Sequence, residues 1–236
     1  EAGERLCDRL DDVTRTFPFS LDLGCRTGGM ARILGRRGGI DQLIQSDLSY
    51  EMVAQAGSGS IVVDEEFLPF ALNSFDLVLS NLTLHWVNDL PGALMQIRQC
   101  LKPGGLFLAT MLGGETLKEL RQSLAHGEAH VDGGLSPRVS PFADVRDAGN
   151  LLQRVGFTLP VADLETITVS YPDPFKLMSD LRGMGESNAV LNSRKSFTSR
   201  NLLMQTANHY IEKYTEADGR IPATFHVITL TAWVEE

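Results

Sequence analysis

The stretch LDLGCRTG, residues 21–28, decides how this chain of 236 residues reads. Apolar and small residues surround one acid, Asp22, and run into a glycine-bearing turn. That pattern suits a buried parallel strand turning sharply into a helix whose N-terminus meets a ligand. Gly24 and Gly28 permit a tight turn and a close backbone approach. A carboxylate about 20 residues beyond such a turn, at the end of the next strand, is placed to accept both ribose hydroxyls of a nucleoside. Asp47 stands there. Asp47 and Ser49 also precede a helical pattern, so a helix cap is the alternative for the same residue.

Working outward, strand patterns at 20–23, 42–46, 60–63, 75–80 and 106–110 alternate with helix patterns at 29–36, 50–56, 91–101 and 115–126. This alternation predicts βαβ units and a parallel sheet. In the third helix Ala93 (or Leu94), Ile97 and Leu101 recur at helical spacing, and Pro103-Gly104-Gly105 is expected to end it. Leu117, Leu120 and Leu124 mark one face of the fourth. A further helix is expected over 144–155, closed by Gly156. The last third changes character. Residues 164–171 alternate as a half-buried strand does. Residues 172–219 are mostly helical in pattern, and a last strand is expected at 224–233, antiparallel and inserted beside the edge strand. An insertion of that length reads as a helical cap over the ligand-binding sheet edge, so the domains are expected at 1–171 with 220–236, and at 172–219.

Composition bounds the function. The chain is 43% hydrophobic and 22% charged, as in a soluble globular protein, with a formal charge of −9 that argues against nucleic-acid binding. Cys7, Cys25 and Cys100 form no metal spacing and no disulfide framework, which points to a reducing compartment. No apolar run is long enough to span a membrane.

Several residues carry candidate chemistry. Asp64 follows the third strand, where a carboxylate can accept from an exocyclic adenine amine, and the N–H of Glu65 can meet a ring nitrogen. The alternative there is a solvated acidic loop, which suits Glu66 better than Asp64. Phe67, Leu68 and Phe70 are expected in the core or in an adenine slot. Ser80, Asn81 and Leu82 end the fourth strand, where open α/β sheets place ligands. His85 is the candidate catalytic group, as proton acceptor or substrate contact, against an equal reading as a packed histidine. His126 and His130 share a helical face but lack a third ligand, so no metal site is expected, and Gly127 weakens that helix.

LDLGCRTG, Asp47, VDEEFLPF, FDLVLSNLTLHWVNDL and LKPGG together resemble the class I S-adenosylmethionine-dependent methyltransferases. The middle of the chain is similar to the malonyl-carrier-protein methyltransferases of biotin synthesis. It is also similar to mitochondrial complex I assembly proteins with a methyltransferase fold that act as protein arginine hydroxylases. The second similarity extends through GGETLKELRQSL, GGLSPRVSPF, DLRGMGESNAVLNSRK and DGRIPATF. The resemblance implies a Rossmann-like seven-stranded α/β sheet with helices on both faces and a helical cap before the last strand. It implies an enzyme that uses S-adenosylmethionine and releases S-adenosylhomocysteine. The cofactor site would comprise Asp22, Gly24, Cys25, Arg26, Gly28, Asp47, Leu48, Met52, Asp64, Glu65, Ser80, Asn81 and Leu82. Tyr171, Arg182, Met184, Glu186, Ser187 and Asn188 would face a protein-subunit or acyl-carrier substrate, in a bacterial cytoplasm or a mitochondrial matrix. Hydroxylation, or a cofactor-binding assembly role without turnover, stands beside methyl transfer. Arg26 departs from the family pattern, which has glycine there.

Overall fold

A computed structural model describes residues 1–131, 133–190 and 198–236. Its elements in chain order are α1 (Ala2–Asp11), β1 (Phe19–Leu23), α2 (Gly29–Leu34), β2 (Gln42–Asp47), α3 (Tyr50–Ala56), β3 (Ser60–Val62), β4 (Phe75–Asn81), α4 (Leu90–Cys100), β5 (Leu101–Gly113), α5 (Lys118–Val131), α6 (Val145–Val155), β6 (Thr158–Tyr171), α7 (Pro174–Met184), α8 (Arg200–Tyr214) and β7 (Ile221–Trp233). The seven strands form one sheet in the order β3-β2-β1-β4-β5-β7-β6. β1 to β5 pair in parallel. β7 runs antiparallel to β5: Gly104 and Gly105 exchange N–H···O bonds with Val234, while Gly113, eight residues on, abuts Ile228. The inserted last strand is therefore where the sequence placed it.

The chain divides into two compact units. The first comprises 1–113, 143–165 and 227–236, and the second 114–142 and 166–226. In the first unit, strand alternation sends side chains to two cores. Phe107, Ala109 and Met111 of β5 join Leu94, Ile97 and Leu152 of α4 and α6. Leu106 and Leu108 join Leu6, Leu10, Met30 and Leu34 of α1 and α2 on the opposite face. Leu21 and Leu23 belong to the first of these cores, so Ser20 and Asp22 point to the other face and are buried. The second unit has its own core of Leu117, Leu120, Leu177, Leu181, Leu202 and Tyr210.

Some boundaries differ from the sequence expectation. α1 was not anticipated; it is a short amphipathic helix burying Gly3, Leu6, Cys7 and Leu10. α2 stops at Leu34 because Gly35 leaves helical geometry at φ 56°. Pro103-Gly104-Gly105 does not separate helix from strand: β5 starts at Leu101, and the register against β4 slips between its first pair and Leu77–Leu106, around the proline and glycines. α5 starts at Lys118, after a left-handed Leu117, and continues past Gly127 to Val131. Gly127 does not mark weakness there. A Cβ at that position would meet Thr206 Oγ1 at 2.6 Å and the Leu202 carbonyl at 3.1 Å, so the glycine lets α8 lie close against α5. Asp144 caps α6 through the N–H of Arg146.

Candidate functional site

The first unit gathers the predicted glycine turn and the ends of β1, β2 and β4. The N–H groups of Gly24 and Cys25 both donate to the Ser46 carbonyl at 2.8 Å, tying the turn to β2. Gly24 has φ +75°, and a Cβ there would lie 2.4–2.6 Å from Thr83, so glycine is needed for the loop after β4 to approach. Gly28, at φ +76°, starts α2, and its missing side chain leaves room for Gln45 and Ala56. Asp47 is buried, and its two oxygens accept from different donors: Oδ2 from the Arg26 N–H and Oδ1 from the Ser49 N–H, each at 2.9 Å. Ser49 in turn caps α3. The carboxylate is thus held in one orientation, and the helix cap is Ser49 rather than Asp47. On β4, Ser80 Oγ lies 3.0 Å from Thr83 Oγ1, Asn81 Oδ1 accepts from Thr110 Oγ1 at 2.8 Å, and the N–H of Leu82 donates to the Thr110 carbonyl at 2.9 Å. Arg26 Nη2 donates to the Leu82 carbonyl at 3.2 Å, linking the ends of β1 and β4.

Acidic groups dominate this place. Both oxygens of Asp22 are buried without a hydrogen-bond partner. Burial, with the nearby Asp47 charge, pushes the Asp22 carboxyl up to about 7. Burial and the same two acids push the Cys25 thiol up to about 12, so it is a neutral thiol and not a nucleophile. Burial also raises Glu65 against a stabilising backbone hydrogen bond, and the charges of Asp47, Asp64 and Glu66 add to the rise. Asp22 and Glu65, raised by burial and by the neighbouring Asp47 charge, give this place an excess of acidic groups suited to a cation.

A model of the methyltransferase domain matches residues 21–109. The zebrafish mitochondrial arginine-hydroxylase NDUFAF5 is 44% identical over 238 residues, covering 99% of this chain and 74% of its own. The chain belongs to the methyltransferase-domain family. A malonyl-[acyl-carrier protein] O-methyltransferase of a Methylovorus strain is 35% identical, covering 99% of this chain and 81% of its own. Among solved structures, the fold is shared with a Haemonchus contortus phosphoethanolamine N-methyltransferase in complex with S-adenosyl-L-methionine, with TM-score 0.58 and 21% identity over 99% of this chain and 52% of that one.

Within this family member, the remaining predicted residues fall into two groups. In the first unit, Leu48 and Met52 are exposed at the end of β2 and the start of α3. Asp64 is exposed and closes a turn by accepting from the Glu66 N–H at 2.9 Å. Glu66 is not the solvated acid expected: its Oε1 accepts from both nitrogens of Asn88, and its carbonyl from Gln96. Phe67 is 75% exposed rather than in the core, whereas Phe70 packs edge-on to Phe75 at 5.1 Å. His85 lies beside Trp86, and its Nδ1 accepts the Leu112 N–H over a long 3.4 Å. Thr83 and Thr110 escaped the sequence reading; a threonine just past the end of β4, against the glycine turn, was the available signal for Thr83, and none marked Thr110 within β5.

The second unit holds the other group. Tyr171 is buried in its core, and burial raises its phenol. Arg182, Met184 and Ser187 are exposed, Glu186 is half-buried and closes α7 through its N–H to the Leu181 carbonyl, and Asn188 Nδ2 donates to the Pro137 carbonyl at 2.7 Å. Residues 191–195 of the quoted LNSRK stretch lie outside the described residues. His126 and His130 do share a face of α5, and His209 of α8 joins them, with ring centroids 4.1 Å apart at each step. The rings stack instead of converging, and among the described residues no group of His, Cys, Asp and Glu is arranged to hold a metal. No helix among the described residues is long and apolar enough to cross a membrane.

Proposed function

We propose that this chain is an S-adenosylmethionine-dependent methyltransferase whose acceptor is a protein subunit or a carrier-bound acyl group. The observation that carries the reading is the buried Asp47, fixed by two backbone amides beside the glycine turn, with the buried, unpartnered Asp22 near it. When bound, the cofactor supplies a methyl group on an activated sulfonium, which an acceptor takes by in-line displacement. The chain's part is positioning and desolvation. Asp47, fixed by the Arg26 and Ser49 amides, keeps lone pairs for the ribose hydroxyls. Asp22, buried and unpartnered, offsets positive charge brought by the ligand. Asp64 and Glu65 serve the adenine, Leu48 and Met52 its apolar faces, and Ser80, Asn81 and Leu82 the methionine end. Arg26 stands where the family has glycine and narrows that end. His85 serves as a substrate contact. Substrate choice belongs to the 172–219 domain with Tyr171, Arg182, Met184, Glu186, Ser187 and Asn188.

The higher identity to arginine hydroxylases favours a second reading: hydroxylation of a protein arginine, or assembly of respiratory complex I without turnover, in a mitochondrial matrix or bacterial cytoplasm. Mass spectrometry of partner proteins from cells with and without this chain separates these. A missing methyl supports the first reading, and a missing oxygen the second. No covalent difference, with the partner still co-purifying, supports assembly alone.

A further inference from the structure

The second unit contains a cavity that the cofactor reading does not use. It has a volume of about 510 Å³, within the range of small-molecule sites. Its walls are largely apolar, from Leu124 and Ala125 of α5, Leu135, Val139 and Phe142 of the following loop, and Val190. Two cations, Arg121 and Arg138, also line it.

The loop that walls the cavity is held from outside. Glu128, 1% exposed, accepts from the Ser136 N–H at 2.7 Å, from Ser136 Oγ, and from Arg138 Nε at 2.6 Å. Arg138 also reaches Thr198 Oγ1 at 2.9 Å, and Asn188 Nδ2 holds the Pro137 carbonyl. The opening therefore does not depend on an occupant to keep its shape. Glu128 neutralises Arg138. Arg121 differs: its Nη2 donates to the Thr116 carbonyl at 3.1 Å, and among the described residues no carboxylate pairs with it. A net positive charge thus remains in an apolar wall, in a chain whose formal charge is −9.

We propose that this cavity binds an aliphatic carboxylate, with the chain against Leu124, Ala125 and Val139 and the carboxylate on the Arg121 guanidinium. An apolar wall selects the hydrocarbon, and a planar guanidinium with N–H groups to spare selects the carboxylate. A neutral ligand of the same length leaves that charge uncompensated, and an alkylammonium is repelled by it.

The test is calorimetric titration of the full chain with octanoate, octanol and octylammonium. Octanoate should bind saturably at one site, at least about tenfold more tightly than octanol, with octylammonium weakest. Arg121→Gln should bring octanoate down to the affinity of octanol. Ala125→Phe, which fills the cavity, should remove both. Unfolding curves and S-adenosylhomocysteine affinity of the variants separate loss of the site from loss of the fold. Equal binding of octanoate and octanol by the parent overturns the proposal. So does octanoate binding that survives both substitutions, or no binding of any of the three by the folded parent.

Discussion

Asp22 in the first unit and Glu128 in the second are carboxylates buried to the same degree and treated in opposite ways. Glu128 has three donors: a backbone amide, a hydroxyl and a guanidinium. Burial alone would raise it, and those donors outweigh burial and lower it. Asp22 has no donor, has Asp47 as a like-charged neighbour, and rises to about 7. A satisfied buried charge organises a loop. An unsatisfied one is a cost to the fold that a cationic ligand can relieve. The difference supports assigning Asp22 to the proposed cofactor site and Glu128 to the framework of its loop.

Removing each carboxylate tests that separation most strongly. Glu128→Ala leaves Arg138, mostly buried, without its partner, and loss of one member of a buried pair typically costs about 3–5 kcal/mol. Asp22→Asn should cost little and should stabilise the chain at high pH. Between the unfolded carboxylate value of 3.8 and about 7, the folded state binds more protons at Asp22 than the unfolded state does. Stability contributed by protonated Asp22 is therefore present at low pH and lost as pH rises through that window. The advantage of Asp22→Asn over the parent should grow from pH 4 to pH 7 in urea unfolding. A flat difference, or a loss matching that of Glu128→Ala, would erase the distinction.

Asp47 is the next measure. Asp47→Ala should weaken S-adenosylhomocysteine binding by roughly ten- to hundredfold, the value of a charged acceptor at about 1.5–3 kcal/mol, with a smaller loss of stability. Calorimetry reads the affinity and denaturation the stability. Equal affinity would make Asp47 only a brace for the Arg26 and Ser49 amides.

Arg26 sharpens the comparison from the other side. It is a non-glycine residue at φ 50°, a geometry costing about 1–2 kcal/mol, and its guanidinium recovers part of that through the Leu82 carbonyl. Arg26→Gly removes strain and contact together, so stability should change by less than about 1 kcal/mol. S-adenosylhomocysteine should bind a few-fold more tightly, because the narrowed methionine end opens. Weaker binding would make the guanidinium a ligand contact.

The first unit was readable because its information is local. Each strand–turn–helix step carries its own signals: Gly24 and Gly28 in left-handed turns, and Ser49 and Asp89 as caps. Asp47 could be placed from its distance to one turn. The second unit depends on residues far apart in sequence. Gly127 reads as a flaw in a helix until Thr206 and Leu202 lie against it. His209 is 83 positions from His126, and no periodicity links them. Glu128 and Arg138 are close in sequence, but nothing local says that the pair is buried. α1 is legible in retrospect from Leu6, Cys7 and Leu10, although a helix of 10 residues gives little periodic signal.

The smallest predicted effect concerns the histidine stack of the second unit, where polar groups are packed but only partly satisfied. His209 of α8 stacks on His126, which lies tilted against His130, and its Nδ1 lies 3.1 Å from Ser123 Oγ. Lys213 and Glu212 on α8 add charges of both signs, and Tyr214 meets the ring edge-on. Burial lowers His209 first, then His126, Lys213 and His130, with Glu212 opposing. Just below the usual histidine value the unfolded chain therefore binds more protons than the folded one, and stability falls as pH falls through that range. Between pH 7.5 and pH 5.5 Asp22 protonation raises the stability of parent and variant alike, so the His209 contribution reads as a difference: the thermal midpoint of His209→Gln should rise relative to the parent's as pH falls through that range. The variant should also leave the octanoate affinity of the cavity unchanged. If the two midpoints keep a constant separation on acidification, the stack tolerates a proton, and the second unit's pH response belongs to its carboxylates instead.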